Sequence, residues 1–179
     1  MTTLAIQGIR GSYSEEAALT LIAGAELLEC QDFAETFSSL EAGRADYAVV
    51  PVKNKIVGDI EGTTRIVREK HFQIIDQLSL KVSHVLAGPL YAKLETIETV
   101  RSHAEALKQC RRYLDSMPGW SQVIGADTAS SVRLTMEQGN TAQAAIGSRR
   151  AAEMYGARIL AEGIADDSEN WTLFYLVGK

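Results

Sequence analysis

The chain has 179 residues, 46% hydrophobic and 23% charged, with a formal net charge of −5. That balance suits a globular protein with a real core and excludes a disordered or fibrous chain. It contains no basic tract, which argues against nucleic acid as a partner. No apolar run reaches the roughly 20 residues that span a bilayer, so a membrane is not expected either. The opening MTTLAIQG has neither the charged start nor the long apolar stretch of a signal peptide, so a cytoplasmic location is expected. Cys30 and Cys110 stand far apart without CxxC spacing and read as reduced packing residues. His71, His84 and His103 show no ligand spacing, so no metal is expected.

In chain order, Leu4-Ala5-Ile6 reads as a strand and Gly8 to Gly11 as a turn. Ser12 with Glu15 makes a capping box for a helix whose inner face is Ala17, Ala18, Leu21 and Ile22. Glu26 to Cys30 reads as a second strand. Asp32 caps a helix with Phe33, Phe37 and Leu40 facing inward and Gly43 closing it. Tyr47 to Val50 is a short apolar run of the kind buried inside a sheet, and Pro51 should end it, since proline cannot donate to a strand ladder. Lys53, Asn54 and Lys55 follow, at the strand end where open α/β sheets place ligands.

A helix is expected from about Asp59 to Arg68, strands over Phe72–Leu80, Val82–Leu86 and Thr96–Val100, and a helix from Ser102 to about Ser116 with Glu105 completing another capping box. Gln109, seven residues beyond Ser102, returns to the face of that helix start. Val123-Ile124 and Ala144–Ile146 read as strands. Asp127 or Thr128 caps one following helix and Ser148 the other, which Gly156 ends. Ile159-Leu160 and Trp171–Val177 are the last strands. Alternation of strands and helices predicts an α/β fold with mostly parallel sheets. The helix-free run through Phe72–Leu86 reads as a crossover, so two lobes with a cleft between them are expected: residues 1–76 with 158–179, and 77–157. Ser12, Ser102, Thr128 and Ser148 all open helices, whose unpaired N–H groups suit an anion if they converge.

Seven ordered blocks carry a resemblance: IQGIRGSYSEEAA, AVVPVKNKIVG, VSHVLAG, VRSHAEALKQC, DTASS, AAIGSRRAAEMYG and NWTLF. Across essentially its whole length the chain resembles the catalytic domain of prephenate dehydratases. The resemblance implies a two-lobed fold like type II periplasmic binding proteins, a homodimer, and cofactor-free loss of carbon dioxide and hydroxide from prephenate to give phenylpyruvate. It implies catalytic roles for Asn54, Ser102, Gln109 and Thr172, with Thr172 assisting departure of the ring hydroxyl. Arg10, Gly11, Ser12, Lys53, Lys55, His103, Ala104, Thr128, Ala129, Leu173 and Phe174 are the expected substrate contacts. No regulatory ACT domain is expected within these residues.

Two places depart from the family pattern. Where the dehydratases usually read Pro-x-Glu-Asn-Ser, this chain has Pro51-Val52-Lys53-Asn54-Lys55; where they read Thr-Arg-Phe, it has Thr172-Leu173-Phe174. On the expectation that these positions border the substrate, the favoured reading is the similar prephenate decarboxylase branch of specialised metabolism. Such an enzyme would retain the ring hydroxyl and yield dihydro-4-hydroxyphenylpyruvate for non-ribosomal peptides. The alternatives are a dehydratase of phenylalanine biosynthesis and a non-catalytic keto-acid binding protein.

Overall fold

The computed structural model describes residues 2–179. The chain forms two compact units: residues 1–9, 13–82 and 169–179 make unit 1, and residues 10–12 with 83–168 make unit 2. The boundaries differ from those expected because two strands decide them. The strand at Gln73–Lys81 pairs along its length with the strand at Trp171–Gly178, drawing residues up to 82 into unit 1. The strand at Arg158–Ala161 pairs with the one at His84–Gly88, drawing residues up to 168 into unit 2.

Unit 1 contains β1 (Thr3–Gln7), α1 (Tyr13–Leu21), β2 (Glu26–Cys30), α2 (Phe33–Glu41), β3 (Tyr47–Asn54), β4 (Gly58–Asp59), α3 (Glu61–Glu69) and β5 (Gln73–Lys81). The remaining strand of its sheet is Trp171–Gly178, numbered β11 in chain order. The sheet runs β2-β1-β3-β11-β5, with β4 added beside β3. Strand β3 carries apolar side chains to both faces. Ala48, Val50 and Val52 meet Phe37, Leu40 and Val67 on one side, and Val49 meets Ala17, Ala18, Phe174 and Leu176 on the other. That two-sided burial is why its sequence is a continuous apolar run rather than an alternating one. Asp32 caps α2 by accepting from the Glu35 N–H, as its place before an apolar helical face predicts.

Unit 2 contains β6 (His84–Gly88), β7 (Thr99–Ser102), α4 (Ala104–Gln109), α5 (Arg111–Asp115), β8 (Ser121–Ile124), α6 (Thr128–Gln138), β9 (Gln143–Ser148), α7 (Arg149–Met154) and β10 (Arg158–Ala161). Its sheet runs β10-β6-β9-β7-β8 over a core that includes Leu86, Val100, Leu107, Leu114 and Ile146. Cys30 and Cys110 are both buried free thiols.

The α/β class with two sheets holds, but the sheets are mixed rather than mostly parallel. β1–β2, β1–β3, β7–β8 and β7–β9 pair in parallel. β3–β11, β5–β11, β3–β4, β6–β9 and β6–β10 are antiparallel. Pro51 does not end β3. It lies inside the strand, beyond the stretch that pairs with β1 and next to a register shift against β11, a place where a missing N–H is tolerated.

Candidate functional site

In unit 1 the candidate site is built at the end of β3. Antiparallel pairing sets Thr172 opposite Asn54, Leu173 opposite Lys53 and Phe174 opposite Pro51. Val52 therefore has no partner on β11: it is the extra residue of a β-bulge. The bulge changes which way Asn54 points. In a regular strand Asn54 would share the face of Val50 and Val52. With the extra residue inserted, Val52 and Lys53 both fall on the side of Leu173, and Asn54 turns to the side of Thr172.

The Asn54 side chain is then fixed at both ends. Its Oδ1 accepts from the Ile56 and Val57 N–H groups at 2.9 and 3.0 Å. Its Nδ2 donates to Thr172 Oγ1 at 2.9 Å, Asn170 Oδ1 at 3.0 Å and the Trp171 carbonyl at 3.0 Å. Asn54 and Thr172 are each 8% exposed and Asn170 only 2%. Because Thr172 Oγ1 accepts from an amide that has no lone pair to offer, the hydroxyl keeps its own proton for donation. A buried amide anchored at both ends can hold that hydroxyl donor in a fixed direction.

In unit 2, strands β7, β8 and β9 run parallel, so their C-terminal ends share one edge of the sheet. Helices α4, α6 and α7 start just beyond that edge, and β6 brings His84 there opposite Ser148. The turn at 10–12 is tied to the same place. Ser148 Oγ donates to the Gly11 carbonyl at 3.0 Å and accepts from the Ala151 N–H at 2.9 Å, while the Tyr155 hydroxyl donates to the Arg10 carbonyl at 2.6 Å. Gly11 has φ +88°, and a Cβ there would come within 3.0 Å of Ala151 Cα. Only glycine suits that backbone and that approach. Asp127 caps α6 by accepting from the Ser130 N–H at 2.7 Å, which leaves Thr128 half-buried as the first helical residue.

His84 Nε2–H donates to Gln109 Oε1 at 2.9 Å. Burial lowers the His84 pKa below its ordinary 6.5, against a smaller raising effect of that bond, so the ring is neutral at pH 7. The pairing orients the Gln109 carboxamide, with its NH₂ group as the donor end.

Several expected site residues make contacts other than those expected. Ser102 is the last residue of β7 rather than a helix cap. It is fully buried, and its hydroxyl donates to the Ile146 carbonyl at 2.7 Å. The cap is His103, whose Nδ1 accepts from the Glu105 N–H at 3.3 Å. The expected long helix is two, α4 and α5, broken at Cys110. Ala104 itself lines a pocket of about 360 Å³, with Leu107, Lys108 and Arg111 of α4 and α5 and Ile124 of the outer strand β8. Ala129 is wholly buried. Phe174 is a core residue packed with Leu4, Ile6 and Val49. Lys53 and Leu173 lie on the sheet face opposite Asn54 and Thr172; Leu173 packs towards Val52 and Val50, and Lys53 is also in register with Asp59 of β4. Lys55 is exposed beyond the strand, its N–H donating to the Trp171 carbonyl at 3.0 Å. Two of the three departures from the family pattern, Lys53 and Leu173, are thus one directly opposed pair behind the sheet, and the third, Lys55, lies past the strand end.

Asn170 and His84 were not singled out from the sequence. An asparagine ahead of a strand reads as a turn residue, and a lone histidine in an apolar strand reads as packing. Their burial beside polar partners is the distinguishing signal, and it exists only in three dimensions. Among the described residues no cluster of three His, Cys, Asp or Glu could hold a metal ion, and no helix is long and apolar enough to cross a membrane.

The chain is 35% identical over 176 residues to arogenate dehydratase/prephenate dehydratase 1 of Arabidopsis thaliana, covering 98% of this chain and 45% of that protein. It matches the crystal structure of the Arthrobacter aurescens prephenate dehydratase in complex with L-Phe at 28% identity with TM-score 0.90, covering 99% of this chain and 60% of the other. It matches the structure of GqqA, described as a novel type of quorum quenching acylase, at 29% identity with TM-score 0.87, covering 99% and 64%. The chain spans about half the length of the curated relatives it matches. The prephenate dehydratase family model matches residues 4–179, from the first strand to the last residue of the sequence, and the chain belongs to that family.

Proposed function

We propose that this protein is a lyase that aromatises prephenate, or its amino counterpart arogenate, by loss of carbon dioxide and hydroxide. The observation that carries the reading is the Asn54–Thr172 hydrogen bond. The electron pair of the breaking ring–carboxylate bond moves into the ring and expels the hydroxyl at the opposite carbon. Thr172 donates a hydrogen bond to that departing oxygen, and solvent supplies the proton that completes water. Asn54 fixes the Thr172 hydroxyl so that little reorganisation is needed in the transition state. Within unit 2, Arg10, Thr128, the start of α6 and the His84-oriented Gln109 amide are the groups suited to a carboxylate. The reading includes a cytoplasmic homodimer, on the family resemblance.

A second reading is supported by Lys53 and Leu173, which replace the family's usual acid and arginine. In it, carbon dioxide leaves, the ring takes up a proton and the hydroxyl is retained. One experiment separates the two. Incubation with prephenate followed by mass spectrometry and ultraviolet absorbance gives phenylpyruvate under the first reading. The second gives a non-aromatic product heavier by one water. Unchanged prephenate and arogenate would sink both, and the quorum quenching name of one structural relative makes amide hydrolysis the assay to run next.

A further inference from the structure

We infer that Lys53 and Leu173 form one cross-strand positioning pair that acts on the reaction through the bulge beneath Asn54 and Thr172. They are not substrate contacts. The inference rests on the reading that Asn54 and Thr172 serve the chemistry.

The two positions are directly opposed, which places their Cβ atoms roughly 4.5–5.5 Å apart on one face. Each also flanks a site residue in sequence: Lys53 precedes Asn54, and Leu173 follows Thr172. Side chains alternate along a strand, so the face that carries Lys53 and Leu173 is turned away from the one that carries the hydroxyl. Leu173 is part of the cluster around Val50, Val52 and Val67. Lys53 has an opposite charge available within its own unit, since Asp59 stands in register on its other side. The bulge itself is held from behind: Thr63, fully buried, donates its hydroxyl to the Pro51 carbonyl, and the Ile60 N–H donates to the Val52 carbonyl at 2.9 Å. In this inference the opposed Leu173 and Lys53 side chains tune strand separation at the one point where the β3–β11 ladder is irregular. The dependent quantity is the alignment of Asn54 Nδ2 with Thr172 Oγ1, and displacements of about 1 Å near a reacting centre cost about a hundredfold in rate.

The test is a double-mutant cycle on the full chain with Lys53→Glu, Leu173→Arg and the double variant, with Lys53→Met alongside. Each is followed by KM, kcat, product ratio and thermal midpoint. The expected result is a KM for Lys53→Met within about twofold of wild type and insensitive to salt. The effects of Lys53→Glu and Leu173→Arg on kcat or product ratio should depart from additivity by about threefold or more. A tenfold rise in KM at constant kcat would show that Lys53 holds the substrate and would overturn the inference, as would additive effects. Should wild type turn over neither prephenate nor arogenate, the functional reading fails by itself. The thermal midpoints still decide the pair, with non-additive shifts supporting it and additive ones sinking it.

Discussion

Asn54 and Thr172 are 118 positions apart in the chain and 2.9 Å apart in the fold. The contact joins a residue before a polar turn to the second residue of the last strand, and the bulge at Val52 puts both on one face. Replacing Thr172 by Ala should lower kcat by about 10²–10³ with KM within about threefold, the pattern for a donor that matters most as charge develops. Thr172→Ser should retain most of the rate. Steady-state kinetics on prephenate checks both.

The Gly11 turn gives a second expectation. A Gly11→Ala change forces a Cβ into left-handed backbone and against Ala151 Cα. It should cost about 1–3 kcal/mol of stability and loosen the Arg10 turn from α7. Thermal denaturation should show a lowered midpoint, and kinetics should show a raised KM.

His84 makes stability depend on pH in a defined direction. Its folded pKa lies below the unfolded value of 6.5 because burial disfavours the charged ring. Between those two values the unfolded chain binds more protons, so stability is complete above 6.5 and is lost as the pH falls towards the folded pKa. Denaturant unfolding from pH 8 downward should show this loss. His84→Gln, which has nothing to titrate, should flatten that part of the profile.

Ser102 offers a test of structural against chemical roles. Its hydroxyl satisfies the Ile146 carbonyl inside the sheet. Ser102→Ala should therefore destabilise the protein by about 1–3 kcal/mol and leave KM within twofold at temperatures where the variant is folded. A fall of a hundredfold or more in kcat for the folded variant would show a catalytic role for Ser102 instead.

Local chemistry made much of this fold legible. Glu26–Cys30 reads as a strand, Asp32 reads as a cap and Asp127 as one of two candidates with Thr128, because hydrophobic periodicity and side-chain capping act within a few residues. What stayed hidden depends on pairing between distant segments. Pro51 reads as a strand end until β11 supplies a bulge to hold it. Ser102 reads as a cap because Glu105 stands three residues on, yet β7 extends two residues beyond the expected Val100 and passes the cap to His103. The placement of Lys53 and Leu173 behind the sheet follows from register alone, and no local pattern encodes register between positions so far apart.

The strand order of unit 1 also dictates when its sheet can close during synthesis. β11 lies between β3 and β5, so those two remain unjoined until the whole of unit 2 has left the ribosome. Until then a nascent chain holds β5, with Ile74 and Ile75 half exposed even in the native fold, beside an open slot for a strand. Long-range closure of this kind is slow and prone to aggregation. Low temperature and slow expression should therefore favour soluble yield, and a polar replacement of Ile75 should do the same without touching the chemistry.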